Sequence, residues 1–353
     1  MADVVAVASF PLHRLQNDAI RKIIQIMPTL DMLSYSLLSD KSKNLTASLP
    51  VHSRKLCLLI FPARVIITMF MGNNAVITIR PSENQEPGNL ISQPENIQVD
   101  HYTQLITHRQ NRIWRNPGLS LRKMLEHCLS VFRFPNAPLI AFPSTDEMIR
   151  LEDIRDNFMD LIQFTCIEQH SSTAYNRRLF QVILPVAKKI VVQPRNETAV
   201  FLPLDNFSIQ NLDSFWSANH LTLEQVLVSN ASVIISTHES HHQKDINRFL
   251  KSWIRGSNSR MEFIKLHTAR LDNPDENIIL KGVTYRNVSQ NEFRVMQPSL
   301  YERKCTGLWQ NQEHERLVVR GGYEIRNRYG ICATVHLVAD NDGSRGVAMF
   351  VWR

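Results

Sequence analysis

The sequence has 353 residues, of which 43% are hydrophobic and 21% charged, and its formal net charge is +7 with a pI near 9.2. This length is sufficient for a small module and one or two larger domains with cores of their own. No run of about eighteen or more apolar residues is present, which argues against a membrane-spanning helix. The basic residues occur singly or in pairs among acidic ones, so we expect a solvated surface or an acidic partner and no direct nucleic-acid binding.

The first residues and the cysteines indicate an intracellular protein. Residues 1–9 carry neither a basic n-region nor a long apolar stretch, so we expect a short disordered tail and not a signal peptide. Five cysteines at wide spacings fit free thiols in a reducing compartment better than a disulfide framework or a zinc site. They are Cys57, Cys128, Cys166, Cys305 and Cys332. We therefore expect a cytoplasmic or nuclear protein that is not secreted.

Residues 10–50 predict three short amphipathic helices. The first two carry apolar residues at helical spacing, with Pro28 between them, because proline cannot continue a helix. Ser39 or Asp40 can cap the third helix. Three such helices present more apolar surface than so small a unit can bury, so we expect the module to dock on the rest of the chain or on another protein. The stripe residues are Ile20, Ile23, Ile24 and Met27 in the first helix and Leu30, Leu33 and Leu37 in the second.

The remainder of the chain, residues 55–353, predicts an α/β domain (α+β for the whole chain). Residues 55–80 read as antiparallel strands, and the polar stretch 81–117 as a loop. Strands and helices then alternate over residues 119–285 every 20 to 30 residues or so, typical of leucine-rich-repeat-like units of mostly parallel strands with outer helices. Three strands joined by turn-forming residues predict a small antiparallel meander over 317–352.

Several elements of this region are predicted individually. The expected helices cover residues 119–132, 145–164, 173–187, 221–228 and 243–255. The expected strands cover residues 138–142, 189–193, 213–216, 233–236 and 262–266. The helix over 243–255 is the strongest of these, because its apolar residues follow a full i, i+3, i+4, i+7, i+8 stripe.

Candidate chemical sites are weak. His238, His241 and His242 with Glu239 are the densest group of potential metal ligands, but no further ligand follows at a suitable spacing, so we expect a solvated loop. Cys128 follows His127 directly, and adjacent residues on a helix do not face each other. No phosphate-binding loop or nucleophile elbow is present. We therefore expect no cofactor, no metal and no catalytic site.

The N-terminal pattern resembles an F-box, the motif that binds a substrate receptor to the Skp-type adaptor of a cullin-RING ubiquitin ligase. The resemblance rests on Phe10-Pro11-Leu12, Leu15, the helix with Ile20, Ile23 and Ile24, and Leu37-Leu38-Ser39 followed by Lys41 and Lys43. F-boxes usually read Leu-Pro where this chain has Leu15-Gln16. The proline fixes the turn before the helix, so its replacement is expected to weaken docking without abolishing it.

The C-terminal part resembles the type-2 F-box-associated domain of a lineage-expanded F-box family. The matching segments are residues 221–230, residues 245–253 with Gly256-Ser257-Asn258, and residues 320–352. With an F-box at 10–50 and this domain at 55–353, the resemblance covers most of the chain.

The resemblance implies a non-catalytic substrate-recognition adaptor of an SCF-type ubiquitin ligase. Its F-box would bind a Skp-type adaptor, and through it a cullin, while the C-terminal domain recruits an unidentified protein for ubiquitination. The residues predicted to contact the Skp-type adaptor are Pro11, Leu12, Leu15, Gln16, Ile20, Ile23, Ile24, Met27, Leu33 and Leu37. Some of these aliphatic residues must pack the helices together, so Pro11, Leu12 and Leu15 are the best interface candidates. The alternative is a repeat-type interaction scaffold with no ligase role.

Overall fold

The computed structural model describes most of the chain, in a mixed α/β fold. The described residues are 14–49, 53–61, 64–71, 75–81, 95–103, 106–134, 138–142, 150–162, 164–168, 173–193, 211–218, 221–268, 273–296, 317–339 and 345–353. The chain divides into two compact units, Met1–Pro138 and Leu139–Arg353. The predicted F-box module therefore shares its unit with residues that were predicted to belong to the following domain.

The first unit begins with the three predicted helices: α1 (Asn17–Ile26), α2 (Thr29–Ser36) and α3 (Asp40–Ala47). Helix α1 ends where Met27 turns extended, the conformation that a following proline imposes. Ser39 caps α3, because its Oγ accepts a hydrogen bond from the Ser42 N–H at 3.2 Å. The helices enclose a small apolar core made of Ile20, Ile24, Met32, Tyr35, Leu45 and Leu49.

Five antiparallel strands and a fourth helix complete this unit. The strands are β1 (Ser53–Phe61), β2 (Arg64–Met71), β3 (Ala75–Pro81), β4 (Asn96–Thr103) and β5 (Ile106–Arg115), and each pairs with the next. Helix α4 (Leu121–Val131) follows. The strands predicted within residues 55–80 correspond to β1, β2 and β3.

Strands β4 and β5 correct the loop that was predicted over residues 81–117. In β4, Ile97 and Val99 are buried, and so are the intervening polar residues Gln98 and Asp100. Asp100 is compensated by Arg80 on the neighbouring strand, with 3.5 Å between the charged atoms. The apolar alternation of β4 is limited to Ile97 and Val99, so the polar composition of the whole stretch suggested a loop.

The second unit contains six parallel strands in sequential order. They are β6 (Leu139–Phe142), β7 (Phe164–Glu168), β8 (Lys189–Gln193), β9 (Ser214–Ser217), β10 (Val233–His241) and β11 (Phe263–Thr268). Between them lie α5 (Leu151–Phe158), α6 (Thr173–Ile183), α7 (Leu223–Val228) and α8 (Gln243–Ile254). Helix α9 (Glu276–Ile279) follows β11. The leucine-rich-repeat-like spacing of this region stays a prediction.

Four antiparallel strands extend this sheet beyond β11. They are β12 (Arg286–Met296), β13 (Leu317–Arg326), β14 (Cys332–Ala339) and β15 (Arg345–Trp352). Strand β15 pairs with β11, β14 with β15, β13 with β14, and β12 with β13. Strand β12 therefore lies at the end of the sheet.

One buried apolar cluster of this sheet is made of strand residues. Its members are Val233, Ile235, Phe263, Val319, Ala348 and Phe350, with Trp216, Met296, Val338 and Trp352 packed against them. The cluster therefore joins parallel strands to the antiparallel strands that follow them.

Two local predictions for this unit were wrong, and one strand had no predicted counterpart. The helix predicted over residues 145–164 is shorter in the described residues, and β7 begins at Phe164, because an apolar run of that length fits either structure. Residues 238–241 belong to β10 and not to a loop, since the strand continues past a register shift after Ser236. Strand β12 has no apolar period because its side chains are mostly exposed.

The core of the three-helix module provides a test of the fold. Ile24 is fully buried, whereas Ile26, two residues further along α1, is 83% exposed. Ile24→Ala should lower the free energy of unfolding by about 2–5 kcal/mol, because it leaves a cavity. Ile26→Ala, the matched control, should change it by no more than about 0.5 kcal/mol. Urea unfolding of both variants measures the difference, and equal effects would contradict the packing described here.

Candidate functional site

The structure separates the residues predicted to contact an adaptor into a buried and an accessible group. Ile20, Ile24 and Leu33 are each 0% exposed. Their side chains pack the helices together, and a partner cannot touch them in this conformation. The sequence could not make this distinction, because every residue of an apolar stripe has the same period whether it faces a core or a partner.

The accessible group lies at the rim of the module. Gln16 is exposed, while Leu15, Ile23, Met27 and Leu37 are half-buried. Leu15 and Met27 pack against the core of the module from its edge. Ile23 and Met27 are four residues apart on α1 and so share one helix face. Pro11 and Leu12 lie outside the described residues.

Two strongly exposed apolar residues of the module were not among the predicted contact residues. Ile26 is 83% exposed and Leu38 is 69% exposed, more than any other large hydrophobic residue that the structure describes. Ile26 lies off the apolar stripe of α1, and Leu38 follows the end of α2. An apolar residue outside the stripe of an amphipathic helix was the signal available in the sequence.

Polar contacts between described residues join the module to the rest of its unit. Arg112 on β5 donates to the Asp31 carboxylate on α2 at 2.7 Å, in a solvent-exposed ion pair. On the buried side, Ser36 Oγ and His127 Nε2 lie 2.8 Å apart. The Ser36 hydroxyl donates its single proton to the Leu33 carbonyl at 2.7 Å, so Nε2 must carry a hydrogen and donate to Ser36.

His127 is held neutral by its surroundings. Burial, and then the charge of Lys43, lower the pKa of His127 from 6.5 to about 4. The residue lines a cleft of about 510 Å³ between the end of α2, the start of α3, and α4. The other lining residues are Ser36, Leu37, Ser39, Asp40, Lys43, Pro117, Leu119, Lys123 and Glu126. Two lysines and two carboxylates balance there, so the cleft favours neither an anion nor a cation.

The histidines and cysteines considered for metal or thiol chemistry lie in strands, in helices or at a helix start. His241 is buried, with its Nε2 3.2 Å from Ser236 Oγ, whereas His242 is exposed at the start of α8. Among the described residues, no group of three or more His, Cys, Asp or Glu is placed to hold a metal ion. Burial raises the pKa of Cys57 to about 11 and that of Cys128 to about 12, which keeps both thiols protonated and unreactive.

Helix α8 packs on the second unit through one buried apolar face. Its buried side chains Ile246, Phe249, Leu250 and Trp253 follow the stripe predicted from the sequence. Asn247 donates to the carbonyls of Ile279 and Lys281 at 2.7 and 3.0 Å, which joins α8 to the segment around α9. Thr222 and Gln225 form a capping box at the start of α7. No helix in the described part of the chain is long and apolar enough to cross a membrane.

Comparison with known proteins confirms the domain recognised in the C-terminal part. The family model described as F-box associated matches residues 203–266, the stretch that contains β9, α7, β10 and α8. The F-box associated domain-containing protein sdz-33 of Caenorhabditis elegans is 20% identical over 302 residues, covering 83% of this chain and 92% of that protein. No solved structure matches the chain.

Because the pKa of His127 is depressed on folding, this residue makes stability depend on pH. The unfolded chain takes up the proton near pH 6.5 and the folded chain only near pH 4, so the contribution is complete above 6.5 and is lost as the pH falls between these values. The expected loss is about 1–3 kcal/mol. His127→Gln, which retains a donor for Ser36 but does not titrate, should remove this part of the pH dependence.

Urea unfolding at pH 7 and pH 4.5 measures the effect. The control is His242→Gln, since His242 is exposed and does not line this cleft. A His127→Gln variant that loses as much stability on acidification as the unmodified chain would show that His127 is not the titrating group.

Proposed function

We propose that this chain is the substrate receptor of a ubiquitin ligase of the Skp-adaptor, cullin and F-box type. Its N-terminal helices bind the Skp-type adaptor, and its C-terminal unit recruits a protein target. The observation that carries the proposal is an F-box-associated segment at residues 203–266 that follows an F-box-like module of three helices. A relative named for the same domain matches over most of both chains. F-box-associated domains indicate a protein-interaction role.

The accessible apolar residues of the module supply the binding energy in this proposal. Ile26 and Leu38 are largely exposed, and Leu15, Ile23 and Met27 are partly so. Full burial of one large aliphatic side chain contributes about 1.5–3 kcal/mol. Several such side chains are needed to offset the entropy lost on association. Exposed apolar residues of this size in a small module support a protein partner.

In this role the chain contributes position and not a reacting group. A receptor raises the rate of ubiquitin transfer by holding a target lysine near the ubiquitin-carrying enzyme, which is a proximity effect. Such an effect requires that the three-helix module does not move freely relative to the residues that follow it. The contacts between Ser36 and His127 and between Asp31 and Arg112 limit the motion of the module within its unit.

The second candidate is an interaction scaffold with no ligase role. One observation favours it: Ile20, Ile24 and Leu33, which were predicted to contact the adaptor, are buried within the chain's own first unit. In that case the three helices complete an intramolecular core, and Ile26 and Leu38 bind nothing. Leu15 packs on the module's own core and so fits both candidates.

Binding to a purified Skp-type adaptor discriminates between the two candidates. Ile26→Asp with Leu38→Asp should weaken binding by about tenfold or more, because two buried contacts are replaced by charges. The matched control is Ile113→Asp, an isoleucine on β5 that is 66% exposed; it should bind like the unmodified chain. Titration calorimetry gives the affinities. An unmodified chain that does not bind the adaptor would remove the ligase role and favour the scaffold.

Gln16 gives a second test of the same interface. It precedes α1 with φ −61° and ψ 148°, which is the backbone conformation of proline. Gln16→Pro should therefore fit without strain and tighten adaptor binding about two- to fivefold, since the turn before α1 is fixed in advance. Calorimetric titration of this variant beside Gln16→Ala separates the effect of the ring from the loss of the glutamine side chain. Equal affinities for the two would mean that the turn is set by other residues.

A further inference from the structure

Strand β12 is the outermost strand of its sheet, and it is long and exposed. It pairs with β13 and, among the described strands, with no other. Its eleven residues are exposed or half-buried throughout. One row of its backbone N–H and C=O groups therefore faces outward, as in sheets that bind a peptide by adding a strand.

One face of β12 carries two exposed apolar side chains. Phe293 and Val295 are 57% and 42% exposed, and their cross-strand partners are Arg320 and Val318. The Arg320 guanidinium lies over the Phe293 ring, 5.0 Å from its centre. Native edge strands usually carry charge or proline at such places to prevent pairing. Exposed apolar residues here indicate that the strand is meant to be covered.

The opposite face of β12 carries arginines held in place by one carboxylate. Arg294 donates to Glu324 at 2.6 Å and lies over the Trp352 ring, 5.4 Å from its centre. Arg286 and Arg326 reach the same carboxylate, each at 3.3 Å. Glu324 is 5% exposed, while all three arginines reach solvent. Counting Glu292, which pairs with Arg286, three cations face two anions and leave a positive charge.

We propose that β12 binds an extended acidic segment of the recruited protein as an added strand. This inference rests on the proposed function and specifies the class of target. Side chains of a strand alternate between faces, so the segment should place acidic residues beside Arg294 and apolar residues beside Phe293 and Val295. Each arginine has donors left to bind a carboxylate. A second copy of the chain is a poorer occupant, because two such edges would bring like charges together.

The binding test uses the full chain and a fluorescein-labelled peptide of about ten alternating Glu and Val residues. Fluorescence anisotropy should show saturable binding that weakens with added salt. The peptide with Lys in place of Glu should not bind. The Glu-Val peptide methylated on alternate backbone nitrogens should bind about tenfold or more weakly, because strand addition requires those N–H groups.

Variants locate the site. Arg294→Glu and Phe293→Ser should each weaken binding of the Glu-Val peptide about tenfold. Arg248→Glu is the matched control. Arg248 is an exposed arginine on α8, so this variant should bind the Glu-Val peptide as tightly as the unmodified chain does. If Arg294→Glu disturbs folding by repelling Glu324, Phe293→Ser still tests the site, because its side chain is largely exposed. Thermal unfolding of each variant checks this.

Amide hydrogen exchange identifies what covers the strand. The amides of residues 293–296 that do not pair with β13 should exchange fast in the free chain and slowly with the peptide. Protection in the free monomer would mean that the chain covers β12 itself, and protection in a dimer that Phe293→Ser dissociates would mean a second copy. Either result, or no peptide binding, overturns the inference.

Adaptor binding is measured separately, so a chain that binds the adaptor but not the peptide refutes only the role of β12.

Discussion

The architecture of the second unit depends on the parallel pairing of β6 to β11. Parallel neighbours cannot be joined by a tight turn, so each connection must cross the sheet. The apolar cluster of strand residues contains large rings: Phe263 and Phe350 lie 5.0 Å apart, and Phe350 stacks on Trp352 at 6.3 Å. Since β11 pairs with β15, these rings hold the parallel strands and their antiparallel extension together.

The antiparallel extension contains two glycines with a left-handed backbone conformation. Gly321 and Gly322 on β13 have φ values of 65° and 97°, a region that glycine adopts without strain. A side chain at Gly322 would have its Cβ 2.7 Å from His336 Nε2 and 2.8 Å from the Val335 carbonyl oxygen. The two glycines lie where β12 and β13 shift register, between the pairs Val288 with Gly322 and Phe293 with Arg320. This irregularity brings Glu324 to the same side as Arg294.

Sequence reasoning succeeded where one physical effect dominated. The stripes of α1 and α8 follow from burial on one face, which fixes a period. The strands β1 to β3 follow from runs of aliphatic and β-branched residues, which are buried on both faces in β1 and β2. It failed where effects compete: β4 buries Asp100 against Arg80, and β12 is stabilised by backbone pairing with few apolar side chains. The candidate site shows the same limit. Helical spacing identified Ile20 and Ile24 as important, but only packing shows that they form the core of the module.

The cluster around Glu324 explains how an exposed surface can be selective. A carboxylate that is 5% exposed requires compensating charge, and three arginines supply more than one carboxylate needs. Their long side chains are held in the free protein by Glu324 and by the Trp352 ring, so less conformational entropy remains to be lost when a carboxylate binds. Trp352 is itself held by its Nε1–H, which donates to Thr334 at 2.7 Å. One buried acid therefore keeps these arginines in position.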